Sequence, residues 1–131
     1  MKTILVVEDD SHLRELLSYN LDCQGYEVLE CHNGKDAAAL LTEKGRQIDL
    51  VVLDLGLPGL DGFSVANHIK SDPVLKTIPV LVCTGQPPNS IMTAVQNGAN
   101  DFIQKPFPVQ NILVRINVLL NEDVSTTAVQ S

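Results

Sequence analysis

The chain has 131 residues, 44% of them hydrophobic and 19% charged, with a formal net charge of −7. That length supports one domain with a substantial core. The acidic balance argues against nucleic acid or anionic membrane as a direct partner, since phosphate binding needs clustered Lys and Arg. No apolar run approaches the ~20 residues of a membrane span, and Ile4–Val7, which stops at Glu8, is too short for a signal peptide. Cys23, Cys31 and Cys83 form no CxxC pair and read as reduced, mostly packed thiols of a cytoplasmic protein.

In chain order, Ile4–Val7 reads as a strand buried on both faces, ending in the acids Glu8, Asp9 and Asp10. Asp10 or Ser11 can cap a helix that carries Leu13, Leu16, Leu17 and Leu21 at helical spacing and that Gly25 stops. Tyr26–Cys31 alternates as a shorter, more exposed strand, and Asn33-Gly34 is a turn. Asp36–Lys44 is a helix with Ala37, Leu40 and Leu41 inward, ended by Gly45. Leu50–Leu53 is a second purely apolar strand. It stops abruptly at Asp54, and the turn formers Gly56, Pro58, Gly59, Asp61 and Gly62 follow.

Phe63, Val65, Ala66 and Ile69 mark a short helix that ends by Asp72-Pro73, because the residue before a proline avoids helix. Val80–Cys83 is a third apolar strand, ending in Thr84. A loop with Pro87 and Pro88 follows, then a short helix over 91–97 closed by Gly98. Asp101–Gln104 is a fifth strand, ending at Lys105-Pro106. The last helix, Val109–Leu120, carries Ile112, Leu113, Ile116, Leu119 and Leu120 as its stripe. From Asn121 the chain reads as a polar tail.

Alternating βα units predict an α/β domain of (βα)5 type, a doubly wound five-stranded parallel sheet with helices on both faces and right-handed crossovers. The apolar strands at Ile4, Leu50 and Val80 should be central, and those at Tyr26 and Asp101 at the edges. In such a sheet the carboxyl ends of all strands share one edge. There the chain places Glu8, Asp9, Asp54, Thr84 and Lys105.

Each of these has an ordinary explanation alone: acids cap helices, Thr84 suits a strand, Lys105 suits solvent. Together they supply the groups for one reaction. Two carboxylates about 4 Å apart repel by roughly 4 kcal/mol at an effective dielectric near 20. Lys105 offsets part of this, and a compact acidic site lined by oxygen suits Mg²⁺. Glycine at 56 leaves room for a backbone carbonyl to approach the metal. With a metal, a hydroxyl and an ammonium as neighbours, the Asp54 carboxylate can serve as a nucleophile for a phosphoryl group, whose transfer needs mainly positioning and charge stabilisation.

The segments ILVVEDD, DLVVLDLGLPGLDG, PVLVCTG and GANDFIQKPF resemble the receiver domain of two-component response regulators, over residues 2 to about 120. The resemblance implies a flavodoxin-like sheet of order 2-1-3-4-5. It implies that Asp54 accepts phosphate from a histidine kinase or histidine phosphotransfer protein, and that the Glu8, Asp9 and Asp54 carboxylates and the Gly56 carbonyl hold Mg²⁺. Thr84 and Lys105 would contact the phosphoryl group, with the Lys105-Pro106 bond in cis. Phe102 stands at the switch aromatic position, whose ring follows Thr84. The face of the fourth helix, fifth strand and fifth helix would then control a partner or output domain. Such a protein is a signalling domain that catalyses only its own phosphorylation and dephosphorylation.

Gly56 and Gln86 fall at positions that tune phosphate lifetime in that family, and Pro87-Pro88 looks stiffer than usual, which predicts a switch of reduced amplitude. Residues 1–121 read as the receiver, and 122–131 as a tail or the start of a linker, in a chemotaxis-regulator-like single receiver. Asp101 and Arg115 fit a charged pair of the family's dimer face, whereas Ile91 and Asn111 stand where another pair would be. That face therefore predicts at most a weak homodimer. Ile91, Met92 and Val95 could instead dock a partner. His12, His32 and His68 have no metal-ligand spacing, and Arg14 and Lys70 read as helix-surface charges. A phosphohydrolase of haloacid dehalogenase type would need a second Asp where Gly56 stands, and a flavodoxin-like cofactor binder would find its phosphate repelled by Glu8-Asp9-Asp10.

Overall fold

The computed structural model describes residues 1–56, 62–85 and 98–120. Thr3–Val7 (β1), Glu27–Cys31 (β2), Leu50–Leu53 (β3), Val80–Thr84 (β4) and Asp101–Gln104 (β5) form one parallel sheet of order β2-β1-β3-β4-β5. All residues of β1, β3 and β4 are buried, whereas β2 and β5 each bury a single residue, so the apolar strands are central and the polar ones take the edges. A strand with a neighbour on each side and helices above and below has no face for water, which is why Ile4–Val7, Leu50–Leu53 and Val80–Val82 are continuous Val, Ile and Leu.

Ser11–Cys23 (α1), Gly34–Lys44 (α2), Gly62–Ser71 (α3) and a C-terminal helix, Val109–Leu119, flank the sheet. Alternate strand residues divide the core in two. Leu5, Val7, Val51, Leu53, Val80 and Val82 meet Ala37 and Leu41 of α2 and Val65, Ala66 and Ile69 of α3. Ile4, Val6, Leu50, Val52, Leu81 and Cys83 meet Leu17 and Leu21 of α1 and Ile112 and Ile116 of the C-terminal helix. The period of two along each strand thus builds both layers.

Local chemistry explains the ends of these elements. The Asp10 side chain caps α1 by accepting from the His12 and Leu13 N–H groups at 3.0 and 3.3 Å. Beyond α1, Gly25 takes φ +91°, a left-handed turn that a side chain would strain. Asn33 caps α2 by accepting from Asp36 N–H at 2.7 Å, so that helix begins at Gly34, two residues before the position read from sequence. Gly45 follows α2 with an ordinary right-handed φ of −55°. Its requirement is space, because a Cβ there would lie 2.2 Å from Leu75 Cδ2.

Leu16 does not join the core and is 47% exposed. It lies about 100° round the helix from Leu17, outside the stripe of Leu13, Leu17 and Leu21 that faces the sheet. The helix over 91–97, the Pro87-Pro88 loop, Gln86 and the tail from Asn121 lie outside the described residues. Among the described residues, no helix is long and apolar enough to cross a membrane. All three cysteines are free thiols, Cys31 and Cys83 buried and Cys23 exposed.

Candidate phosphoacceptor site

The strand order reverses between β1 and β3, which leave opposite crossovers, and such a reversal opens a crevice at the carboxyl edge of the sheet. Glu8 and Asp9 follow β1 and Asp54 follows β3, so the acids stand on both sides of that point. One carboxylate oxygen from each of Glu8, Asp9 and Asp54 lies within 4.8 Å of the others. Glu8 and Asp54 are buried and Asp9 is exposed, so the cluster opens to solvent on the Asp9 side. Three hard oxygen donors this close fit a divalent cation of the Mg²⁺ kind.

Lys105, just past β5, reaches across the edge. Its Nζ lies 2.9 Å from Glu8 Oε1 and 3.2 Å from Asp54 Oδ2. The other Asp54 oxygen, Oδ1, accepts from the Gly56 N–H at 3.1 Å. Asp54 N–H donates to the Val7 carbonyl at 3.1 Å and Lys105 N–H to the Thr84 carbonyl at 2.8 Å, so the strand ends are tied to one another by main-chain bonds. The Lys105-Pro106 peptide is cis. Thr84 is fully buried at the end of β4, whereas Phe102 on neighbouring β5 is 42% exposed. Val82 pairs with Phe102 and Thr84 with Gln104, which puts the hydroxyl and the ring on adjacent strands two register positions apart.

Burial dominates the electrostatics of Glu8 and pushes its carboxyl up to about 7. The Lys105 ammonium and the Asp10 N–H act in the opposite direction, and the Asp54 charge adds to the rise. Burial alone would lower the Lys105 ammonium, but the Glu8 and Asp54 carboxylates together raise it, so it stays charged. Cys83, next to Thr84 but facing the α1 layer, is pushed up to about 12 by burial and is an inert packed thiol.

The Glu8 shift has a consequence for stability. A carboxyl held neutral by the fold stabilises it fully below the unfolded value of 4.5, and the contribution is lost as pH rises through about 7. In chelator, the melting temperature of the unsubstituted protein is expected to fall relative to that of Glu8→Gln as pH rises from about 4.5 to 7.5. A constant difference across that range would contradict the burial argument.

Three residues depart from the sequence reading. Gly62 is the first residue of α3, and a Cβ on it would lie 2.3 Å from the Asp54 carbonyl oxygen and 2.5 Å from Leu55 Cα. Its role is close approach behind Asp54. Lys70 is not a free surface charge, because its Nζ donates to the Lys76 and Ile78 carbonyls at 3.3 and 2.9 Å and holds the turn that leads into β4. Arg14 also turns inward, to the Glu8 carbonyl and the Glu30 carboxylate. No residue-type pattern announces these three, since each is defined by main chain brought close only by the fold.

A parallel sheet of this order, with a buried carboxylate at its reversal point flanked by acids and a lysine, defines the class of flavodoxin-like receiver folds. Residues 4–117 match the response regulator receiver domain, and the chain belongs to that family. It is 36% identical over 121 residues to the phosphate regulon transcriptional regulatory protein PhoB of Pseudomonas aeruginosa, a match covering 91% of this chain and 52% of that protein. It is 38% identical over 122 residues to the DNA-binding dual master transcriptional regulator RpaA of Synechocystis sp., covering 92% and 49%. The chain thus spans about half the length of the curated relatives it matches. A crystal structure of a putative response regulator from Chloroflexus aurantiacus superposes with a TM-score of 0.85 at 31% identity, covering 92% of this chain and 98% of that one.

Proposed function

We propose that Asp54 is the phosphoacceptor of a two-component phosphorelay, receiving a phosphoryl group from the phosphohistidine of a histidine kinase or histidine phosphotransfer protein. The observation that carries this reading is the state of the Asp54 carboxylate. It is buried, one oxygen accepts from the Gly56 N–H, the other from Lys105, and Glu8 and Asp9 lie alongside.

An Asp54 oxygen attacks phosphorus, the P–N bond to the imidazole breaks, and the phosphoryl group remains on Asp54 as an acyl phosphate. Glu8, Asp9 and Asp54, with the Gly56 carbonyl, would hold Mg²⁺, which supplies positive charge to the transferring oxygens. Lys105 carries its ammonium to the same oxygens, and the Thr84 hydroxyl donates to another. Water attacking the acyl phosphate breaks the bond to the Asp54 oxygen, releases inorganic phosphate and restores the free carboxylate, so the only catalysis is the domain's own phosphorylation and dephosphorylation.

In this reading Thr84 moves toward the phosphoryl group, and the Phe102 ring, half exposed in the structure, follows it to reshape the surface of β5 and the C-terminal helix. That surface, together with the segment 91–97, controls a downstream protein or an output domain, with no direct contact between this domain and nucleic acid. Residues 1–121 constitute the receiver and 122–131 a tail or linker, and the protein works in the cytoplasm. Asp101 and Arg115 pair within one chain, at 2.9 and 3.1 Å, so a homodimer across this face would have to exchange that pair and would be weak.

Acyl phosphates are cleaved by hydroxylamine, whereas phosphoesters of Ser and Thr are not. After incubation with Mg²⁺ and acetyl phosphate, one phosphoryl per chain is expected, removed completely by neutral hydroxylamine. Label that survives hydroxylamine would place the modification elsewhere.

A further inference from the structure

Glu8 is held at four points. Its N–H donates to the Cys31 carbonyl of β2 at 3.0 Å, its Oε2 accepts from Asp10 N–H at 3.1 Å, and its Oε1 pairs with Lys105 at 2.9 Å. The fourth hold comes from Arg14 in the first turn of α1, whose Nη1 donates to the Glu8 carbonyl at 2.7 Å. The Arg14 Nε in turn lies 3.3 Å from Glu30 Oε1 on β2, and the Arg14 side chain is only 19% exposed. The planar fork of a guanidinium can direct donors at two partners at once. Here it ties β1, α1 and β2 together where β1 leaves the sheet. The Glu8 carbonyl belongs to the peptide that joins Glu8 to Asp9, so the torsions that aim both acids at the site turn about this peptide.

We propose that Arg14 is a positioning residue for the acidic site, acting through the main chain of Glu8 and itself oriented by Glu30. Removing the guanidinium leaves the other three holds on Glu8 but releases the plane of the peptide between Glu8 and Asp9, so the torsions on either side of it are less tightly set. Fewer of their oxygens then converge. Partners that orient metal ligands from behind are commonly worth about tenfold or more in metal affinity. The inference rests on the reading of Glu8, Asp9 and Asp54 as an Mg²⁺ site.

The test is calorimetric titration of Mg²⁺ into the unsubstituted protein, Arg14→Met, Arg14→Lys and Glu30→Gln, with melting temperature recorded for each. Methionine keeps the aliphatic stem and its packing. Arg14→Met is expected to weaken Mg²⁺ binding about tenfold, and Arg14→Lys to recover only part of it, because an ammonium lacks the planar fork that reaches the carbonyl and Glu30 together. Glu30→Gln is expected to weaken binding about threefold, an intermediate loss because the carbonyl contact remains. At saturating Mg²⁺ the phosphorylation rate of Arg14→Met is expected to return to within about twofold of the unsubstituted value, since the acceptor itself is intact.

A purely structural role would lower the melting temperature and leave the Mg²⁺ Kd unmoved, and that result overturns the proposal. If Arg14→Met does not fold, Glu30→Gln decides, and an unchanged Kd there overturns it equally. Absence of Mg²⁺ binding in the unsubstituted protein would contradict the metal site itself, whereas normal binding in every variant contradicts only the role of Arg14.

Discussion

Lys105→Met is expected to cost the metal-free protein about 3 kcal/mol and to slow phosphorylation of Asp54 at least about a hundredfold. Glu8 and Asp54 are 1% and 6% exposed, and the Lys105 ammonium lies against both. Its removal leaves two carboxylates facing each other in a poorly solvated site, where breaking a buried pair is far costlier than the net worth of the pair. Glu8 is already pushed up to about 7 by burial and the Asp54 charge, so it would retain a proton to higher pH and relieve part of the cost. A divalent cation would relieve more, because it no longer competes with the ammonium, and ligand binding to the folded state alone stabilises that state. The expected signature is a melting temperature lowered by about 10 °C in chelator and largely recovered in Mg²⁺. Phosphorylation would remain slow even then, since the charge developing on the phosphoryl oxygens has lost a donor. A melting temperature unchanged in chelator, or a normal rate with Mg²⁺, would contradict the pairing described.

Gly62→Ala is expected to be nearly as damaging, although it adds only a methyl group. The Cβ would lie 2.3 Å from the Asp54 carbonyl oxygen, 2.9 Å from its carbonyl carbon and 2.5 Å from Leu55 Cα. These are main-chain atoms, so no rotamer change can yield space. Either α3 lifts from the sheet, breaking the contacts of Val65, Ala66 and Ile69 with the core, or the end of β3 shifts and carries Asp54 with it. Overpacking a tight site costs typically 1–3 kcal/mol, and the backbone clash puts this case at about 3. Because the displaced atoms belong to Asp54, phosphorylation is expected to fall about tenfold or more, beyond what the lost stability explains. Gly45→Ala is the control: its clash is with the end of the Leu75 side chain, and phosphorylation per folded molecule should be unchanged. Equal rates in the two variants would show that Gly62 does not position Asp54.

Much of the sheet and the strand-end groups could be read from the residues, for a physical reason. A strand buried on both faces is mostly apolar, so the runs Ile4–Val7, Leu50–Leu53 and Val80–Cys83 of β1, β3 and β4 stood out, and the polar residue that ends each run marked the edge of the sheet. Parallel pairing then puts those residues together without any knowledge of side-chain contacts. What was illegible depends on approaches that only the fold creates. Gly62 looks like a turn residue, but it is a glycine because the Asp54 main chain passes too close for a Cβ. Arg14 looks like a solvated helix charge, yet its partner is a carbonyl that only the end of β1 exposes. Asn117 sits between the apolar residues of the C-terminal helix and is buried, with the hydroxyl of Tyr26, just before β2, donating to its side-chain oxygen. Hydrophobic periodicity carries no trace of that pair.

The central claim is that Asp54 is the phosphoacceptor, and intact mass after incubation with Mg²⁺ and acetyl phosphate tests it most directly, with the unsubstituted protein and Asp54→Asn side by side. The account predicts one phosphoryl added to the unsubstituted protein alone, and none once Mg²⁺ is chelated. No gain in the unsubstituted protein, or an equal gain in Asp54→Asn, would contradict it.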